Sequence, residues 1–144
     1  MTEKRESEVD SKSRKEMLDE MFISAHGYLN RALPEIEKLA EGFYQSPSDE
    51  TWQSFLQLLE GIQWLFDFMN HVVQNKSLFG NWVKFAEIST NLQEQLHQLE
   101  EAVQSQDMTL IGDTILFEVA GILETARSEI LYTIDKEDMK HDLN

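Results

Sequence analysis

Apolar residues recur along this chain at steps of three and four in four stretches. Three short polar breaks separate them: Gln45–Ser48, Asn75–Ser77 and Gln104–Asp107. That period belongs to amphipathic helices. In the first stretch, residues 16–44, the positions Leu18, Phe22, Ala25, Leu29, Leu33, Ile36, Leu39 and Phe43 share one face. Pro34 falls inside it. Its ring removes the N–H that would bond the Asn30 carbonyl and crowds the preceding turn, so a kink is expected there.

The second stretch, 49–74, starts after Ser48, a good N-cap, with Asp49 and Glu50 placed to complement the helix dipole. Its heptad seam reads Trp52, Phe55, Leu59, Ile62, Phe66, Met69, Val73. Leu56, Leu58, Leu65 and Val72 widen it. The third stretch, 79–104, carries Trp82, Phe85, Ser89, Leu92, Leu96, Leu99 and Val103 on its seam. The fourth, 108–134, follows the N-cap Asp107 and presents Ile111, Ile115, Val119, Ile122, Ala126, Ile130 and Ile134. Leu110 and Phe117 form a smaller strip off that face.

Short breaks make consecutive helices antiparallel neighbours. The expected fold is therefore all-α, an up-down-up-down antiparallel four-helix bundle over residues 16–135, with helix 1 kinked near Pro34. Residues 1–15 alternate charges and serines with almost no apolar content and read as a disordered tail. Residues 136–144 read as a polar C-terminal tail. Gly61 and Gly121 interrupt helices at a cost of about 1 kcal/mol each against alanine, which close helix–helix approach would offset.

Charge sharpens the functional reading. Residues 1–16 carry five basic and five acidic groups, so the whole excess of −15 falls on residues 17–144. Phosphate backbones and anionic membrane surfaces need a basic footprint, which argues against nucleic acid and membrane as partners. No apolar run approaches the ~18 residues of a membrane span. The N-terminus lacks the apolar core of a secretory signal. The chain has no cysteine, which fits a reducing, cytoplasmic setting.

Candidate chemistry is sparse. Glu94-Gln95-Leu96-His97 is one Glu-x-x-His on a helix, where di-iron bundles use two with a Glu from each remaining helix. Glu94 and His97 also lie off the inner face. His26, His71 and His141 have no partner at metal-ligand spacing within a helix turn. His26 and His71 would have to meet across the first hairpin, with a carboxylate such as Asp67, to hold a metal. No phosphate-binding loop, nucleophile elbow or His-Glu-x-x-His occurs. No catalytic, cofactor-binding or metal residue is therefore assigned, and the chain is not expected to be an enzyme.

The aromatics say more. Ten of the fourteen lie between Phe43 and Phe85, including all three tryptophans. Trp64 and Phe68 miss the expected seam of helix 2 and stack four residues apart on its opposite face. Together with Gly61 and His71 they are the expected interaction surface, since Trp and Phe are favoured interface anchors. The function expected is a non-catalytic protein-interaction module that self-associates as a homodimer, or binds another protein, with the acidity favouring a basic one. The alternatives are a small chaperone or regulator that holds an amphipathic or basic helix, and a metal-dependent bundle enzyme.

Glu60-Gly61-Ile62-Gln63-Trp64-Leu65 and Gln106-Asp107-Met108-Thr109-Leu110-Ile111-Gly112-Asp113 resemble segments of uncharacterised small acidic helical-bundle proteins from low-GC Gram-positive bacteria. The likeness extends in pattern over residues 28–125. It implies a bacterial, cytoplasmic bundle and assigns no site residues.

Overall fold

The computed structural model describes the backbone of residues 2–139 and the side chains of residues 12–139. Among the described residues the chain is all-helical, with no strand. Helix α1 spans Thr2–Gln45, α2 Asp49–Gln74 and α3 Trp82–Gln104. A fourth rod is built from α4 (Met108–Asp113), a π-helical segment (Thr114–Val119) and α5 (Ala120–Lys136).

α1 begins at Thr2, which corrects the expectation of a disordered tail over residues 1–15. Its 44 residues span about 66 Å, against about 39 Å for the 26 of α2. Pro34 lies inside this helix, and its side chain is exposed. At the other end the polar tail is shorter than expected. Met139 is fully buried and closes the core, while residues 140–144 lie outside the described residues.

α1 packs against α2 and against the fourth rod, and α3 packs against the same two. The pairs α1–α3 and α2–fourth rod lie on the diagonals. As α1 advances from Phe22 through Tyr28 to Gly42, its partners on α2 fall from Phe68 through Gly61 to Thr51. Asn81 at the start of α3 donates through Nδ2 to Glu129 Oε1 and Thr133 Oγ1 near the end of the fourth rod, at 2.8 Å each.

Local chemistry starts and stops the helices. Ser48 caps α2 by a capping box: its hydroxyl accepts from Thr51 N–H, and Thr51 Oγ1 accepts from Ser48 N–H. Asp107 accepts from Leu110 N–H to start the fourth rod. Lys15 and Asp19 form a 2.6 Å ion pair near the 75–81 connection, with Lys15 also over the Phe79 ring.

The seams of α2 and α3 are rotated from the expected ones. α2 buries Phe55, Leu58, Ile62, Leu65, Phe68, Met69 and Val72. Leu59, Phe66 and Val73 are half-buried on the flank. Both heptad registers of α2 are fully apolar, so hydrophobicity does not separate them. What separates them is that α2 must face α1 and α3 at once. In α3, Phe85, Ile88, Leu92, Leu99 and Ala102 form the core. Gln95 falls in the same row, and its buried Oε1 has no hydrogen-bond partner.

The π segment has a geometric cause. Ile111, Ile115, Val119 and Leu123 are all buried, at three successive steps of four. In an α-helix each such step overshoots a full turn by about 40°, so the row would wind off the core. A π turn holds more residues and cancels that drift. Leu123 thus takes the core place expected for Ile122, which is half-buried.

The two helical glycines behave differently. A Cβ on Gly61 would meet the Tyr28 ring, whereas one on Gly121 would meet nothing within 4 Å. Close approach therefore accounts for Gly61 and not for Gly121. Gly121→Ala is expected to stabilise the fold by about 1 kcal/mol through helix propensity alone. Urea unfolding checks this: a midpoint unchanged or lowered in that variant would contradict it.

Candidate functional site

The surface of interest is the outer side of the α1–α2 pair. At one end four phenylalanines interlock. Phe22 meets Phe68 edge-on at 4.8 Å, Phe79 at 5.0 Å and Phe85 at 5.7 Å. Phe68 is fully buried among them. This corrects its expected place on an outward face. With the seam at Leu58, Leu65 and Val72, position 68 turns toward α1 rather than away from the core.

Trp64 stays at the surface, 37% exposed. Its ring stacks on Phe68, with centroids 6.0 Å apart and planes 8° from parallel. The buried ring holds the exposed one in place. Gly61, one turn before Trp64, is half-buried beneath Tyr28. Burial raises the pKa of that phenol, with the Arg31 charge opposing. His71 is half-buried on α2, and its carbonyl accepts from Asn75 Nδ2. The rest of the outer face of α2 is mixed: Gln63, Asp67 and Asn70 are exposed, and so is Leu56 two turns before Gln63. α2 is thus not apolar all round, and the expected four-residue surface reduces to Trp64 with Gly61 and His71 beside it.

From Tyr28 a groove of about 710 Å³ runs between α1 and α2 toward Ser48. Ile36, Leu39 and Leu58 form its floor, and Arg31, Glu35, Lys38, Glu41 and Glu50 line its sides. The sequence reading missed this groove. Its only signal there is the small side of α1 and α2 facing one another at Ala32, Gly42 and Ser54. A Cβ on Gly42 would stand 2.8 Å from Thr51, so glycine lets the helices close at that end.

A second tie joins α1 to the fourth rod. The Tyr44 ring lies against Gly112, where a Cβ would overlap it, and its hydroxyl donates to Asp113 Oδ1 at 2.5 Å. Desolvation, then the Asp113 hydrogen bond and charge, push the Tyr44 pKa up to about 12. Leu110 and Phe117 are exposed on that rod.

Asn30 Nδ2 lies 3.3 Å from His26 Nδ1, His97 and Glu94 are exposed, and His141 falls outside the described residues. Among the described residues no group of three or more His, Asp or Glu side chains is placed to hold a metal ion. Nor is any helix among them long and apolar enough to cross a membrane.

Neither the curated proteins nor the solved structures contain a match to this chain. Residues 20–129, which include α2, α3 and most of α1 and the fourth rod, match the family described as Domain of unknown function (DUF8042), and the chain belongs to that family.

Proposed function

We propose that this chain is a non-catalytic protein-interaction module that self-associates through the outer face shared by α1 and α2. The observation that carries the reading is Trp64, an exposed indole held flat against a buried ring. An aromatic fixed before binding loses little freedom on contact, which suits it as an anchor. The same reading takes the helices as an antiparallel up-down-up-down bundle with α1 bending at Pro34. A cytoplasmic, bacterial setting suits the cysteine-free composition and the resemblance of the Glu60–Leu65 and Gln106–Asp113 segments.

Trp64→Ala is expected to weaken self-association by about 2 kcal/mol, roughly 30-fold in the dissociation constant. Sedimentation velocity over a concentration series measures it. A dimer of unchanged affinity in the variant would contradict Trp64 as anchor. The groove supports a second reading, in which it takes an amphipathic helix of another protein. That reading predicts a monomer that binds a basic amphipathic peptide.

A further inference from the structure

The sides of the α1–α2 groove carry charge in an order that is its own complement. Along α1 the sequence is Arg31, Glu35, Lys38, Glu41, alternating in sign. All four side chains are exposed, and none forms an ion pair within the chain among the described residues. If a second α1 is laid antiparallel across the first, with a two-fold axis beside Ile36, Arg31 meets Glu41 of the second copy. Glu35 then meets Lys38 of the second copy. Each pair occurs twice, as an isologous interface requires. The spacings agree to within a residue when the helix is reversed.

We propose that the occupant of this groove is a second copy of this chain, docked two-fold with α1 antiparallel to α1. This rests on the self-association reading above and gives it a geometry. Two further groups fit the same axis. Glu50 lies level with Gly42, because Gly42 packs on Thr51. The axis carries that level onto Arg31 of the second copy, so Glu50 adds a second carboxylate to the same guanidinium. Trp64, one turn beyond the Tyr28–Gly61 contact, falls level with the Ser46–Ser48 corner of the second copy. Exposed Pro34 sits near the axis, where a small rigid side chain permits close approach.

Charge exchange tests the register. Arg31→Glu sets two carboxylates face to face at both ends of the interface. Glu41→Arg sets two guanidinium groups face to face at the same places. Each variant alone is expected to dimerise at least ~10-fold more weakly than the parent, since juxtaposed like charges are costly. In an equimolar mixture, the carboxylate introduced at position 31 of one variant meets the guanidinium introduced at position 41 of the other, and the unchanged Glu41 meets the unchanged Arg31. Both ends are again of opposite sign, so the mixture is expected to restore association as a heterodimer. The double variant R31E/E41R also exchanges the signs within each pair and is expected to dimerise alone. Circular dichroism of each variant confirms that these surface changes leave the helices intact. Sedimentation velocity gives the outcomes. Loss in each single variant, with recovery in the mixture and in the double variant, supports the proposal. A dimer indifferent to both single changes, or losses that the mixture and the double variant fail to restore, overturns this geometry while self-association stands. A monomeric parent chain at ~100 μM overturns both.

Discussion

Phe68→Ala is expected to destabilise the fold by about 3–5 kcal/mol, the range for removing a buried aromatic side chain. Phe68 supports three rings at once: Phe22 edge-on at 4.8 Å, Phe85 at 6.1 Å and Trp64 in parallel at 6.0 Å. Its removal opens a cavity beneath an exposed indole, which the rigid helices on either side are poorly placed to close. Thermal unfolding should show a loss on the order of 10 °C for a chain of this size. Trp64→Ala, by contrast, removes a ring that solvent already reaches and is expected to cost no more than about 1–2 kcal/mol. The two variants therefore separate the core from the surface on one helix. Equal losses in both would contradict the placement of Phe68 inside and Trp64 outside.

Gly61→Ala is expected to destabilise by about 1–2 kcal/mol, although alanine is the better helix former by about 1 kcal/mol. The reason is the Tyr28 ring, whose hydroxyl, Cζ and Cε1 occupy the place of a Cβ. Either the phenol swings out or α1 retreats from α2, and overpacking of this kind costs about 1–3 kcal/mol. In a Tyr28→Ala background the obstruction is gone, and Gly61→Ala is expected to become neutral or favourable. The double-mutant cycle isolates the contact. A second readout is the phenol itself. Burial holds the Tyr28 pKa above its usual value of 10. A ring displaced into water should titrate closer to that value by ultraviolet absorbance. A stabilised Gly61→Ala with unchanged tyrosine titration would contradict the contact.

These two variants also mark what was legible in the sequence. The all-helical class was, because four long periodic stretches and their caps agree with each other. Ser48 and Asp107 start helices for the reason their side chains suggest. The rotation of α2 was not legible. Leu58, Leu65 and Val72 compete with Leu59, Phe66 and Val73 on equal terms. A shift of one residue turns the helix by about 100° and carries position 68 from outside to inside. The helical extension of α1 was hidden for another reason. A charged, apolar-poor segment gives no amphipathic signal, yet nothing in it forbids continuing a helix already nucleated next to it. The π turn escaped because steps of four read as ordinary helix until three of them follow in a row.

The candidate surface was half legible. Trp64 was found by its misfit with the seam. The groove beside it was not, since it arises from two helices meeting at Ala32, Gly42 and Ser54 rather than from any one stretch. The alternating charges of α1 read in the sequence like any solvated helix face. Only the fold shows that they flank a groove with an apolar floor and leave one another unpaired.

The measurement that bears most directly on the central claim is the mass of the intact chain in solution. Light scattering at ~100 μM and low ionic strength is predicted to give twice the 16.8 kDa chain mass, falling toward the monomer on dilution or added salt. A mass of 16.8 kDa at every concentration and salt level would contradict it.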